Sequence, residues 1–92
     1  NRALLERLAL FNMRNRQSAA RAEREFVEER LAQARSELAT AEARLQGFLD
    51  QNRVYQTAPR LVVEYGRLQR QVDLRQQVVS GLAQAHEKAR IE

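Results

Sequence analysis

Apolar residues recur through residues 27–48 at steps that alternate between four and three: Val27, Leu31, Ala34, Leu38, Ala41, Leu45 and Phe48. This is the a/d seam of a helix built to lie along another helix. Glu, Arg, Gln and Ser fill much of the remaining surface, so the stripe needs a partner to be buried. Beyond Pro59 the same spacing resumes at Leu61, Tyr65, Leu68, Val72, Arg75, Val79, Leu82, His86 and Ala89. Two matched stripes joined by a short polar stretch predict an all-α fold, a long antiparallel helical hairpin of coiled-coil type. The expected elements are a first helix over about 2–50, a loop at 51–59 and a second helix over about 60–91.

The first sixteen residues, NRALLERLALFNMRNR, are also helical in pattern. Leu4, Leu8 and Phe11 make one stripe, and Leu5, Leu10 and Met13 broaden it. Projecting the central seam backward gives Arg24, Ala20, Gln17 and Met13, so the seam weakens over 14–24. A stutter or bend is expected there, with a change of packing partner. A helix running on from this segment overhangs the second helix by roughly a dozen residues.

Within the loop, QNRVYQTAP, Asn52 is the expected terminator of the first helix. Thr57 or Ala58 is the expected cap of the second, with Pro59 in its first turn. Gly47 and Gly66 sit inside the helix ends that flank the loop, and each costs about 1 kcal/mol relative to Ala. Close approach of the helices near the turn is one explanation, and a tolerated defect is another. With the turn centred near residue 55, Leu45 faces Tyr65, Ala41 faces Leu68, Leu38 faces Val72, Ala34 faces Arg75 and Leu31 faces Val79. Leu38 and Leu68 are therefore expected to be buried. Ala34 leaves room for the Arg75 stem in the seam, which brings the guanidinium within reach of Glu37.

Ninety-two residues make one small domain or a piece of a larger one. The chain opens on Asn1, and we expect residues 1–92 to be a single hairpin segment of a longer protein. Three Gly and one Pro favour long helices over sheets. A lone helical pair has little interior, so oligomerisation or a supporting domain is expected. No run approaches the roughly 18 apolar residues of a membrane span, and no signal peptide is visible. The absence of cysteine removes disulfides, thiolate catalysis and cysteine metal sites.

The net charge of +4 is unevenly placed, at +3 over residues 1–16, −2 over 17–52 and +3 over 53–92. An acidic middle facing a basic second half suits intramolecular pairing. Arg alternates with Glu and Gln where a nucleic-acid footprint would cluster basic residues on one face, so no nucleic-acid partner is expected.

The single histidine, His86, lies on the seam without a carboxylate pair at ligand spacing, and it reads as packing near a helix end. Arg75 on the seam either fixes register or snorkels to a surface carboxylate. Tyr65 reads as core, and Tyr55 either contacts a partner or covers the turn. No GxxxxGK[ST] loop is present, and Ser18, Ser36 and Ser80 lack a His–Asp context. No catalytic, cofactor-binding or metal-ligating residue is assigned, and the segment is not expected to be an enzyme.

The stretch RAEREFVEERLAQARSELATAEARLQGFLDQN, the Pro59 loop, and RLVVEYGRLQRQVDLRQQVVSGLAQAHEKARIE together resemble a known family. It is the periplasmic coiled-coil region of bacterial polysaccharide co-polymerases, the Wzz-type chain-length determinants of O-antigen and exopolysaccharide synthesis. The likeness covers about residues 21–92, most tellingly AEARLQGF…QN and LQRQVDLRQQVVSGL…ARIE. At Val79 and His86 the family look places aromatic residues. The resemblance implies an inner-membrane protein anchored by segments outside this chain, with this segment in the periplasm. It implies homo-oligomeric rings, a partner polymerase and a glycan, and in some relatives a kinase domain. Two other readings stand beside it: the hairpin arm of a periplasmic export adaptor, and a basic RNA-binding helical arm.

Overall fold

The computed structural model describes residues 2–91. Helix α1 spans Arg2–Gln51, a single 3-10 turn covers Tyr55–Thr57, and helix α2 spans Pro59–Ile91. Both helices are rich in Ala, Leu, Glu, Gln and Arg, the residues that lose least on entering a helix. The two pack antiparallel into a rod of 82 × 16 × 14 Å. The fold is the all-α hairpin that the two stripes predict.

The turn is made by local chemistry. The Asn52 backbone N–H donates to the Phe48 carbonyl at 2.9 Å, and its side-chain Nδ2 donates to the same oxygen at 3.0 Å. No described residue has a positive φ, so α1 ends on this side-chain bond and not on a left-handed cap. Ala58 is extended, at φ −123° and ψ 117°, as the residue before a proline prefers. Its carbonyl accepts from the N–H groups of Leu61 and Val62, at 3.0 and 3.1 Å, so Ala58 is the N-cap of α2. Pro59 follows in the first helical position, where a missing N–H costs nothing. The Thr57 hydroxyl instead donates back to the Val54 carbonyl at 2.8 Å and takes no part in capping α2.

Helix α1 is the longer by far, at 50 residues against 33. At about 1.5 Å per residue these span about 75 Å and about 50 Å, so α2 cannot cover all of α1. Ala89, near the end of α2, lies in the same groove as Gln17, Ala20, Arg21 and Arg24 of α1. Residues 2–16 extend beyond it. No break in the helix accompanies the change. Helical structure is continuous through 14–24, and the slender rod leaves no room for a sharp kink. What changes at 14–24 is the presence of a partner, and the helix itself is unbroken.

The core is thin. Among the described residues only Leu31, Ala34 and Ala41 are buried, and no buried side chain is polar. Leu38 and Leu68, expected to be buried, are half-buried. The reason is geometric: in a two-helix pair each seam residue has one neighbouring helix, and its outer flank stays in water. The small side chains of Ala34 and Ala41 are easily covered by one partner helix, and Leu31 is the one large seam residue among the described residues that it buries.

The glycines do not mark a close approach. A Cβ built on Gly47 or Gly81 meets nothing within 4 Å, and one on Gly66 meets only the Arg70 side chain at 3.8 Å. The space around these positions is open, and Gly47 and Gly81 are exposed. These glycines are tolerated defects.

Candidate assembly surfaces

The seam residues differ in how far they are covered. Leu31, Ala34 and Ala41 are buried, while Val27, Leu38, Leu45, Phe48, Leu61, Tyr65, Leu68, Val72, Val79 and Leu82 are half-buried. Ala41 and Leu68 also line a lateral groove between the helices. Two polar links cross the seam. The Arg75 guanidinium donates from Nη1 to Glu37 Oε2 at 3.1 Å. Both side chains remain about two-fifths exposed, so the pair contributes little beyond register. His86 Nε2 lies 3.1 Å from Glu28 Oε1. Sequence reasoning placed Arg75 beside Glu37 but missed Glu28. The same rule finds it: each seam residue reaches about one turn along α1 from the residue it faces.

The hairpin end is closed by three rings. Tyr55 stacks on Tyr65 with centroids 4.7 Å apart and planes at 20°, and it meets Phe48 at 6.2 Å and 57°. Tyr55 therefore covers the turn. It fills the end of the seam where the two stripes stop and gives the loop an apolar anchor.

One lateral groove between the helices is lined by Arg44, Arg67 and Arg75 together with Ser36, Glu37 and Thr40. It resembles an anion site in composition only. Arg75 is engaged by Glu37, and Arg67 by Glu64 along α2, which among the described residues leaves Arg44 as the one cation there with no ion pair. The Arg67 hydrogen bond holds the Glu64 carboxyl below its ordinary value of 4.5, against desolvation and with a smaller contribution from the Arg67 charge. Among the described residues no group of three His, Asp or Glu is placed to hold a metal ion. No described helix is long and apolar enough to cross a membrane.

The largest unused surface is the first third of α1. Every residue from Arg2 to Glu23 is exposed. That includes Leu4, Leu5, Leu8, Leu10, Phe11 and Met13, each with half or more of its surface in solvent. Contiguous large apolar side chains on a free surface are a mark of an interaction site. Comparison with family models, with curated proteins and with solved structures returns no match for this chain.

Proposed function

We propose that this chain is a rigid helical arm that works by assembly and carries no catalytic site. One observation carries the reading: α1 continues past its partner, bearing six large apolar side chains that the hairpin leaves in water. A helix pair with three buried residues has little stability to spare, and such an overhang is stabilised only when another polypeptide covers it. The resemblance to Wzz-type chain-length determinants supplies the finer reading. On it, the hairpin is the periplasmic extension of a membrane-anchored protein whose copies assemble and set the length of a polysaccharide made by a partner polymerase. The mixed Arg, Glu and Gln faces beside the seam suit many weak lateral contacts, each of which gains from repetition around an assembly.

The test is charge reversal on the outer faces in the full-length protein. Arg67→Glu with Arg70→Glu is expected to leave helix content unchanged by circular dichroism. It is also expected to shift the oligomer distribution and the length of the surface polysaccharide on a gel. An unaltered polymer profile across several such reversals on both helices, with folding intact, rejects the chain-length reading.

A further inference from the structure

The overhang carries a stripe that the hairpin does not use. At about 100° per residue, Leu4, Leu8, Phe11, Asn15, Ala19, Ala22 and Phe26 fall within an arc of about 80° on α1. That arc is centred about 110° around the helix from the seam, so α2 does not obstruct it. All seven residues are exposed. The large ones stand out, with Leu4 at 58%, Leu8 at 52%, Phe11 at 61% and Phe26 at 62% of their surface free. The steps along the stripe are four, three, four, then four, three, four. The spacing therefore reads the same in both directions from Asn15.

A stripe with that symmetry is complementary to itself under a two-fold axis. We propose that two copies of this chain pair along it, α1 against α1 and antiparallel, with the two-fold axis at Asn15. Leu4 of one copy then meets Phe26 of the other, Leu8 meets Ala22, and Phe11 meets Ala19. Large side chains face small ones in the two inner layers on each side of the axis. A parallel pair would set Phe11 on Phe11 and Ala19 on Ala19, alternating crowded layers with empty ones. Asn15 meets Asn15 at the centre. A single amide pair in an apolar stripe fixes register, because any slip leaves the amides facing apolar groups.

Charge supports the same direction. Arg7 on one flank of the stripe comes alongside Glu25 of the second copy, and the symmetry makes this contact twice. Neither residue is in an ion pair within its own chain. The two Arg14 side chains share a flank near the axis and oppose the pairing, so the dimer gains from moderate salt. The contact is on the order of 1,000 Å², the small end of specific interfaces, so dimerisation depends on concentration.

This goes beyond the assembly reading and does not rest on the family resemblance. It names the face that pairs and the direction of pairing. The test uses sedimentation equilibrium of the 92-residue chain from micromolar to millimolar concentration, with helix content followed in parallel. Wild type is expected to form a dimer, and Phe11→Glu is expected to weaken it by more than about tenfold without loss of helix. Arg7→Glu is expected to weaken it several-fold, and adding Glu25→Arg to restore it. The chain has no cysteine, so introduced ones report direction. Leu8→Cys and Ala22→Cys chains are expected to cross-link when mixed and not when each is oxidised alone. A wild-type monomer throughout the range overturns the proposal. So does a dimer indifferent to Phe11→Glu and Leu8→Glu, or cross-linking of Ala22→Cys with itself. That last result is what copies standing side by side in a ring would give, and it would leave the chain-length reading untouched.

Discussion

The two ends of α1 differ in what surrounds them, although both are helical and both carry apolar stripes. From Val27 to Phe48 the stripe is strict and narrow, and α2 covers it. From Arg2 to Arg16 the apolar residues are larger and more numerous, and nothing in the hairpin covers them. Ala34 and Ala41, among the smallest side chains of the seam, are buried, while Phe11 keeps 61% of its surface in water. Apolar content alone therefore does not decide burial. A narrow seam with small residues opposite large ones lets a single partner helix close over it. The apolar surface over 2–16 remains open because α2 ends short of it.

The sharpest way to break this contrast is to truncate one leucine in each region. Leu31 is 6% exposed, and Leu31→Ala is expected to destabilise the hairpin by about 2–4 kcal/mol through lost contacts and the cavity left behind. Leu8→Ala, at a concentration where the chain is monomeric, is expected to change stability by less than about 0.5 kcal/mol. Urea unfolding followed by circular dichroism reads both. Equal effects at the two sites would mean that the overhang packs within the monomer.

The aromatic cluster comes next. Tyr55→Ala removes the ring held between Phe48 and Tyr65, and a loss of about 1–2 kcal/mol is expected from its area and stacking. Near-ultraviolet circular dichroism should lose its tyrosine signal in step with the thermal midpoint. A stability unchanged by the substitution would make Tyr55 a surface ring and move the end of the seam back to Leu45.

Gly47→Ala probes an exposed position near the end of α1, with the opposite sign. Its Cβ meets nothing, so the substitution is expected to stabilise the paired region by about 0.5–1 kcal/mol through helix propensity. A lower midpoint would require the helices to approach there more closely than they do.

The smallest effect concerns protons. Arg67 holds the Glu64 carboxyl below 4.5, so folding favours the charged form of Glu64. Its contribution is fully present above pH 4.5 and is lost as the pH falls through the lower, folded-state value. The difference in thermal midpoint between wild type and Glu64→Gln should be small at pH 6 and shrink toward zero in acid. A difference that grows on acidification would place the carboxylate in a repulsive setting.

The all-α hairpin, with a break near Pro59, was legible in the chain because helical periodicity is a local property. The spacing of Leu31, Ala34 and Ala41 marks a face, and Ala34 opposite Arg75 is enough to bring the guanidinium to Glu37 at 3.1 Å. The degree of burial was decided only by the tertiary structure. Periodicity specifies which side of a helix is apolar, not how many helices surround it, so Leu38 and Leu68 have the pattern of buried residues and are half-buried. Gly47 and Gly66 suggest close contact in a string of letters, but a Cβ at either position has room. The weakened seam at 14–24 suggests a bend, yet α1 runs through it unbroken, because helix propensity holds the axis whether or not a partner lies beside it. Tyr55 could face outward or inward on sequence alone, and the three-residue 3-10 turn, by aiming it at Tyr65, makes that choice.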